Sequence, residues 1–552
     1  METKKQSLER LRNTLKKERS SWDKLYRDLG DYILPGRLRF LTDNTNRGDV
    51  RNNRSHNNAA FMSARVLKSG MHSGITSPAR PWFRLTTPDP DLADYGPVKE
   101  WLYQVTNRMQ TVFHRSNLYN ALPTIYGDCG TFGIAAAAIY EDANDMLRAY
   151  TFPVGQYYVA SSARGDVDTL VRELKMTVRQ LVQQFGEDNL SRAAKSLLKS
   201  NNLEQWIDVV HVIRPNDDFD PQSPLSKHKP IESTWYEKAG DEDKFLRQSG
   251  FDESPIVVPR WEVMGEDVYG NGPGQVAIGD VKALQFMEKR KAQAIDKMVN
   301  PPMIGDSSLR TKKTSLLPGD VTYVDSSMGA QGFRPAFEIN FDIGSVSQEI
   351  ANTENRINSA FFADLFLMLA MSDRRQMTAT EVAERNEEKL LMLGPVLERL
   401  NDELLNPIID RAFSIMLRNG AIPPPPDEIQ GTDLRVEHIS IMAQAQKMVA
   451  TASIDRFTGY VGQLAQFDPS VLDKFNMDQT VDEYADMMGV PATIVRGDDE
   501  VQGIRQQRAE AQERAQQQEA MQQQAQAAKT LSETDTQGEN ALSEIIRGTT
   551  GA

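Results

Sequence analysis

Few residues in this sequence have the type and spacing that chemistry requires. The turn YGNGPG (Tyr269–Gly274) sets Gly270 and Gly272 as a dinucleotide-binding turn would. The position for the third glycine is Gln275, however, and Pro273 lacks the N–H that a phosphate would use, so the segment reads as a turn. No Gly-Lys dipeptide occurs anywhere, which excludes the standard phosphate loop of an ATPase. Cys129 has no histidine nearer than His114, fifteen residues away, and reads as a buried small residue rather than a nucleophile. Asp217, Asp218 and Asp220 lie in a Pro-rich acidic stretch without calcium-loop spacing, so a solvated loop is expected. The six histidines are scattered, with no pair at metal-ligand spacing and no G-x-S-x-G elbow. Two basic groups remain: Arg374 and Arg375 beside Gln376, and Arg310 with Lys312 and Lys313. Taken alone, they read as ordinary surface charge.

The elements that would position these residues are long. Val276–Met298 and Val346–Leu365 read as charged helices, each with one apolar stripe: Val281, Leu284, Ala292, Ile295 and Met298 on the first, Val346, Ile350, Ile357 and Phe361 on the second. Between them, after Pro301-Pro302, lies a β-like insert, Met303–Asn340. A helical pattern then runs over Thr378–Arg418, about 60 Å if continuous. Pro395 and Pro407 should each bend it.

Upstream, Leu8, Leu11, Leu15, Trp22, Leu25 and Leu29 recur at three- and four-residue steps and predict a helix stopped by Pro35-Gly36. A polar arm follows (37–58) with Arg37, Arg39, Arg47, Arg51 and Arg54, expected as a solvated loop. Helices are expected over Ala59–Gly74, Val98–Phe113 and Val178–Ser200, and β-like runs over Ala149–Val159, Ile207–Ile213 and Ser254–Trp261. Trp82 and Phe83 are expected as packing anchors, and Gly127, Gly130 and Gly133 as a turn. Beyond four consecutive prolines (Pro423–Pro426) a helical region is expected over Val436–Met488. The eleven glutamines between Val501 and Lys529 fit either a helix seeking partners or a disordered tail.

Bulk composition narrows the classes further. The 552 residues are long enough for several domains, and 39% hydrophobic with 25% charged residues supports a sizeable core. The formal net charge of −14 argues against a protein that blankets DNA with Lys and Arg, though not against one that encloses it. A single cysteine suits a reducing compartment; no leader or membrane span is read, and a soluble intracellular chain is expected. Neither an enzyme nor a cofactor or metal site is expected.

Three segments together resemble the portal, or head-to-tail connector, proteins of short-tailed bacteriophages: TSPARPWFRL (Thr76–Leu85), FHRSNLYNALPTIYGDCGTFGIAAAAIYED (Phe113–Asp142) and SPIVVPRWEVMGEDVYGNGPGQVAIGDVKAL (Ser254–Leu284). The resemblance spans roughly residues 1–500. It implies an α+β, predominantly helical, ring-forming fold. Residues 1–270 would be an N-terminal helix and wing, 271–300 and 341–366 the stem helices, and 301–340 the clip. Residues 367–377 would be the tunnel loop, 378–420 the long wing helix, 421–500 the crown, and 501–552 a glutamine-rich tail. It also implies a homododecamer at one capsid vertex, assembled with capsid and scaffolding proteins. Such a ring docks the terminase large subunit and then tail adaptor proteins, and double-stranded DNA passes through it, with no membrane involved. The chain would be made in the host cytoplasm and end in the virion. On that resemblance Arg374, Arg375 and Gln376 face DNA from the tunnel loop, and Arg310, Lys312 and Lys313 do so from the clip. The alternatives are another virion protein, such as an internal core or tail-tube adaptor, and a metal-dependent nuclease.

Overall fold

The computed structural model describes residues 3–38, 40, 55–89, 92–93, 95–241, 244–305, 334–336, 342–367, 392–431, 433–439, 454, 457–488, 495–496 and 498–533. Helix α1 (Lys4–Tyr32) opens with a capping box between Thr3 and Gln6 and ends at Ile33, before Pro35. After it come α2 (Ala59–Ile75), β1 (Phe83–Thr86), α3 (Gly96–Arg115) and α4 (Leu118–Phe132). Trp82 and Phe83 are buried against Phe113, with ring centroids about 6 Å apart, and act as the expected anchors.

The glycines expected to form a turn lie in α4 instead. Gly127 and Gly130 are helical because α2 crosses there: a Cβ on Gly130 would meet Leu67 at 2.3 Å. Only Gly133, at φ +79°, ends the helix.

Strands β2 (Ala136–Asp142), β3 (Met146–Phe152), β4 (Tyr157–Ser161) and β5 (Val167–Thr177) follow, then α5 (Val178–Phe185), α6 (Arg192–Lys199), β6 (Trp206–Pro215), β7 (Ile231–Glu237), β8 (Arg247–Phe251) and β9 (Ile256–Val257). The antiparallel sheet β4-β5-β6-β7-β8 carries α1 on one face, where Leu8 and Leu15 meet Tyr158, Val171, Val210, Val212 and Tyr236. Its other face carries α5 and α6 through Leu181, Phe185 and Ala194. These two helices replace the single one expected over Val178–Ser200. Gly186 breaks the run at φ +80°, and the Ser191 hydroxyl caps a fresh start by accepting from the Ala194 N–H. A smaller sheet, β3-β2-β9, packs into the main core.

Helix α7 (Pro273–Val299) and helix α8 (Ile343–Ala360) form an antiparallel hairpin. At its far end β10 (Met303–Ile304) pairs with β11 (Arg334–Pro335), the part of the expected β-like insert that is described. Of the long helix, residues 392–418 are described and helical. A π turn spans Asn401–Leu405, closed by the Asn406 N–H donating to the Asn401 carbonyl, and leads into α9 (Asn406–Arg418). The wider turn falls next to Pro407, which has no N–H to donate, and so absorbs one of the two expected breaks without ending the helix.

The expected helical start at Val436 is a correction. Arg435–His438 is a strand, β12, antiparallel to β1, with Phe83 opposite His438. The Ile439 N–H donates to the Trp82 carbonyl at 3.0 Å, and Arg84 pairs with Glu437 at 2.6 Å. Helices α10 (Met477–Met488) and α11 (Asp498–Glu533) come last, joined by a bidentate Arg505–Asp478 pair. The glutamine-rich stretch is therefore helical.

Candidate functional site

The six side chains singled out for DNA, Arg374, Arg375, Gln376, Arg310, Lys312 and Lys313, all lie outside the described residues. So do Arg39, Arg47, Arg51 and Arg54 of the polar arm. Arg37 departs from the solvated-loop expectation: its guanidinium grips Asp128 of α4 at 2.6–2.9 Å. Burial pushes the Asp128 carboxyl up to about 6, with Arg37 opposing the shift, so the pair is ionic at neutral pH.

What the structure assembles is the hairpin and the junction that carries it. The glycine turn before α7 lies against the last turn of α4, backbone on backbone. A Cβ on Gly274 would sit 2.2 Å from the Thr131 carbonyl oxygen, and one on Gly133 only 2.1 Å from that of Gly270. Gln275 takes the place of the third glycine for a reason. Its Oε1 accepts from the Gly272 N–H at 2.6 Å and its Nε2 donates to the Phe132 carbonyl at 3.2 Å. The Gly272 and Asn271 N–H groups are thus bonded within the chain, to Gln275 and to the Glu262 carbonyl, instead of standing open to a phosphate. Cys129, on the same turn of α4, is fully buried with its thiol toward the Pro259 carbonyl, and burial pushes it well above the usual thiol range. It is a packing residue.

The acidic stretch is partnered by cations of its own chain. Asp217 pairs with Arg214 at 3.2 Å and Asp218 with Lys4 at 3.6 Å. Among the described residues no group of three or more His, Cys, Asp or Glu is placed to hold a metal ion. His211 lies inside the sheet, stacked on Trp235 at 3.8 Å, and burial holds it neutral, well below the usual imidazole range.

Beyond the junction the hairpin projects from the body. The last buried side chain on α7 is Gln285, and from residue 286 to 300 none is buried. On α8 the first is Ile350. Phe286, Ile295, Met298 and Val299 are exposed in this chain, Val299 by 80%, as are Met303 and Ile304 at the tip.

A protein-family model described as "Bacteriophage head to tail connecting protein" matches residues 5–495. The chain belongs to this family. Its similarity to individual head-to-tail connecting proteins is equally extensive. It is 52% identical over 545 residues to a portal protein of Salmonella phage epsilon15, covering 99% of this chain and 98% of that one. It is 43% identical over 537 residues to a probable portal protein of Bordetella phage BPP-1, covering 97% of each. Among solved structures, a chain from the virion of a native gene transfer agent particle aligns with a TM-score of 0.35 and 10% identity, over 73% of this chain and 85% of its own. A superposition that loose carries no argument here.

The head-to-tail connecting family is structural. No described helix is long and apolar enough to cross a membrane. Several residues that hold this connector chain together gave no signal in the sequence: Asp128, Arg260, Gln285 and Glu403 are isolated polar residues, and only the partners that fold against them mark them out.

Proposed function

We propose that copies of this chain close into the portal ring at one capsid vertex, with twelve subunits around a channel for double-stranded DNA. The observation that carries this reading is the 52% identity to a phage portal protein over nearly the whole of both chains. The exposed apolar series on the α7–α8 hairpin supports it, since neighbouring copies would cover that surface. In this ring α7 and α8 are the stem, residues 301–340 the clip, 367–377 the tunnel loop, and the helix through Arg418 the long wing helix. Residues 421–500 are the crown, whose strand β12 pairs with β1 of the wing. The ring, built with capsid and scaffolding proteins, docks the terminase large subunit during packaging and then holds tail adaptor proteins.

Electron microscopy of the purified full-length protein tests this directly. The expected particle has cyclic symmetry and a central opening wide enough for a duplex; a monomer or a solid particle would overturn it. Arg374 and Arg375 are placed at the DNA by this reading. A channel guides DNA with few basic side chains, because each neutralised phosphate adds affinity and hence drag. Arg374→Ala with Arg375→Ala is expected to leave the ring intact and to alter packaging yield or genome retention in assembled heads. Wild-type yield and retention would remove these two residues from the channel.

A further inference from the structure

The segment just ahead of α2 lies against the hairpin where α7 and α8 leave the body. Gln285 accepts, through Oε1, from the backbone N–H groups of both His56 and Asn57 at 2.5 and 2.8 Å. Its Nε2 donates to the Asn57 carbonyl at 2.8 Å. One side-chain amide thus reads the peptide on both its donor and acceptor edges, and it does so while buried, at 4% exposure. The Asn57 side chain then spans the two helices: its Nδ2 donates to Glu354 Oε1 of α8 at 2.8 Å and to Glu288 Oε1 of α7 at 3.3 Å. Its Oδ1 accepts from the Ala59 N–H at 2.7 Å. One α-helical turn along, Ser63 of α2 bonds Asn358 of α8 at 2.6 Å.

Both N–H donors and the carbonyl of the Asn57 side chain are therefore engaged, and no other side chain of that length supplies the same set. Aspartate would place a third carboxylate beside two, and an aliphatic side chain would leave both glutamates without this donor. The location matters as much as the chemistry. Gln285 is the last buried residue on α7, and Glu354 lies about one turn past Ile350, the first buried on α8. The contact therefore lies where the hairpin leaves the body.

We infer that residues 55–58 form a collar at the root of the hairpin, in which Asn57 and Gln285 are positioning residues that hold α7 and α8 to each other and to the body. The functional consequence rests on reading the hairpin as the portal stem: the collar sets the angle at which the stem departs, and its release lets the stem swing as a unit. Without it the hairpin is joined to the body by the packing of Val281, Leu284, Ile350 and Ile357, by the Ser63–Asn358 bond and by the Lys282–Asp28 pair at 2.6 Å, while the Arg356–Asp280 pair at 3.3 Å ties α7 to α8.

The test is hydrogen exchange on the full-length protein, comparing wild type with Asn57→Asp and Gln285→Ala. Loss of a buried hydrogen-bonded amide is expected to speed exchange in 286–299 and 343–349 by about tenfold or more. Exchange in strands β5 and β6 is expected to stay unchanged. Replacing Glu288 and Glu354 by Gln in the Asn57→Asp background is expected to restore protection, because it removes the repulsion the aspartate introduces. Unchanged exchange in the hairpin, an equal rise in the sheet, or no restoration would each overturn the collar. Should Gln285→Ala not fold, the isosteric Asn57→Asp and its restoration decide the matter. Microscopy of the same samples keeps the two readings apart. Wild-type rings with no exchange difference sink the collar alone, and a wild type without rings sinks the portal reading alone.

Discussion

Replacing Gly133 with alanine is expected to cost about 4 kcal/mol, much of the margin on which a domain of ordinary stability depends. Two penalties add. The residue sits at φ +79°, a region that L side chains rarely occupy, and its Cβ would lie 2.1 Å from the Gly270 carbonyl oxygen. That oxygen belongs to backbone, so it cannot rotate away as the end of a side chain would. Gly274→Ala meets the Thr131 carbonyl in the same manner at 2.2 Å, without the dihedral penalty, and is expected to cost less. Gly279, three residues on from Val276 in the same helix, has nothing within 4 Å of its Cβ direction. Alanine there is expected to stabilise the unassembled chain by about 0.5–1 kcal/mol. Urea denaturation of the three variants, followed by tryptophan fluorescence, gives the order. Wild-type stability for Gly133→Ala would show that α4 and α7 do not meet through this junction.

The second large effect belongs to Glu403, in the π turn. Arg260 reaches it from the strand segment that leads into the glycine turn. The Arg260 backbone N–H donates to Oε2 at 2.8 Å, and Nη2 and Nε donate to Oε1 at 2.6 and 3.1 Å. Arg399 adds a fourth bond at 3.2 Å. Arg260 is 4% exposed, so Glu403→Ala strands a cation in the interior, and a loss of about 3–5 kcal/mol is expected. Glu403→Gln keeps the volume and one acceptor and should lose less, about 1–3 kcal/mol. The diagnostic variant is the double one. Arg260→Met with Glu403→Leu removes both charges and fills the space, and it is expected to be more stable than Glu403→Ala alone. A double variant worse than the single would mean that the pair itself, rather than its desolvation, carries the stability.

Much of the helical frame was legible because its signals are local. Leu8, Leu11, Leu15 and the Pro35 stop specify α1 without reference to anything else in the chain. The hairpin helices likewise announce themselves by apolar spacing and by Pro301-Pro302. What stayed hidden depends on partners. Strand β5 was not read because Glu173 interrupts its apolar alternation, and Glu173 is tolerated inside because Arg12 of α1 meets it at 2.9 Å, Lys238 at 3.6 Å and the Tyr158 hydroxyl at 3.1 Å. Gly127 and Gly130 carry the same local signal whether a chain turns or another helix comes close; α2 decides between the two. Gly186 and Ser191, by contrast, were in plain view as a break and a cap, and the single helix expected there ignored them. For the residues proposed to face DNA, the sequence supplied one pair and one trio of basic residues without a fold to aim them. The family resemblance supplied the placement, and the described residues end on either side of it.

The pairing of β1 with β12 has a consequence for how the chain is made. Phe83 finds its cross-strand neighbour His438 about 350 residues later. At a synthesis rate of about 5–20 residues per second, the ribosome needs roughly 20–70 s to deliver it. Late in that interval, once Ala360 has been made, the nascent protein can hold its sheet, its glycine junction and its hairpin while β1 still presents an unpaired edge. A polypeptide released short of His438 keeps that open edge, so β12 seals only the chains that have been extended past it.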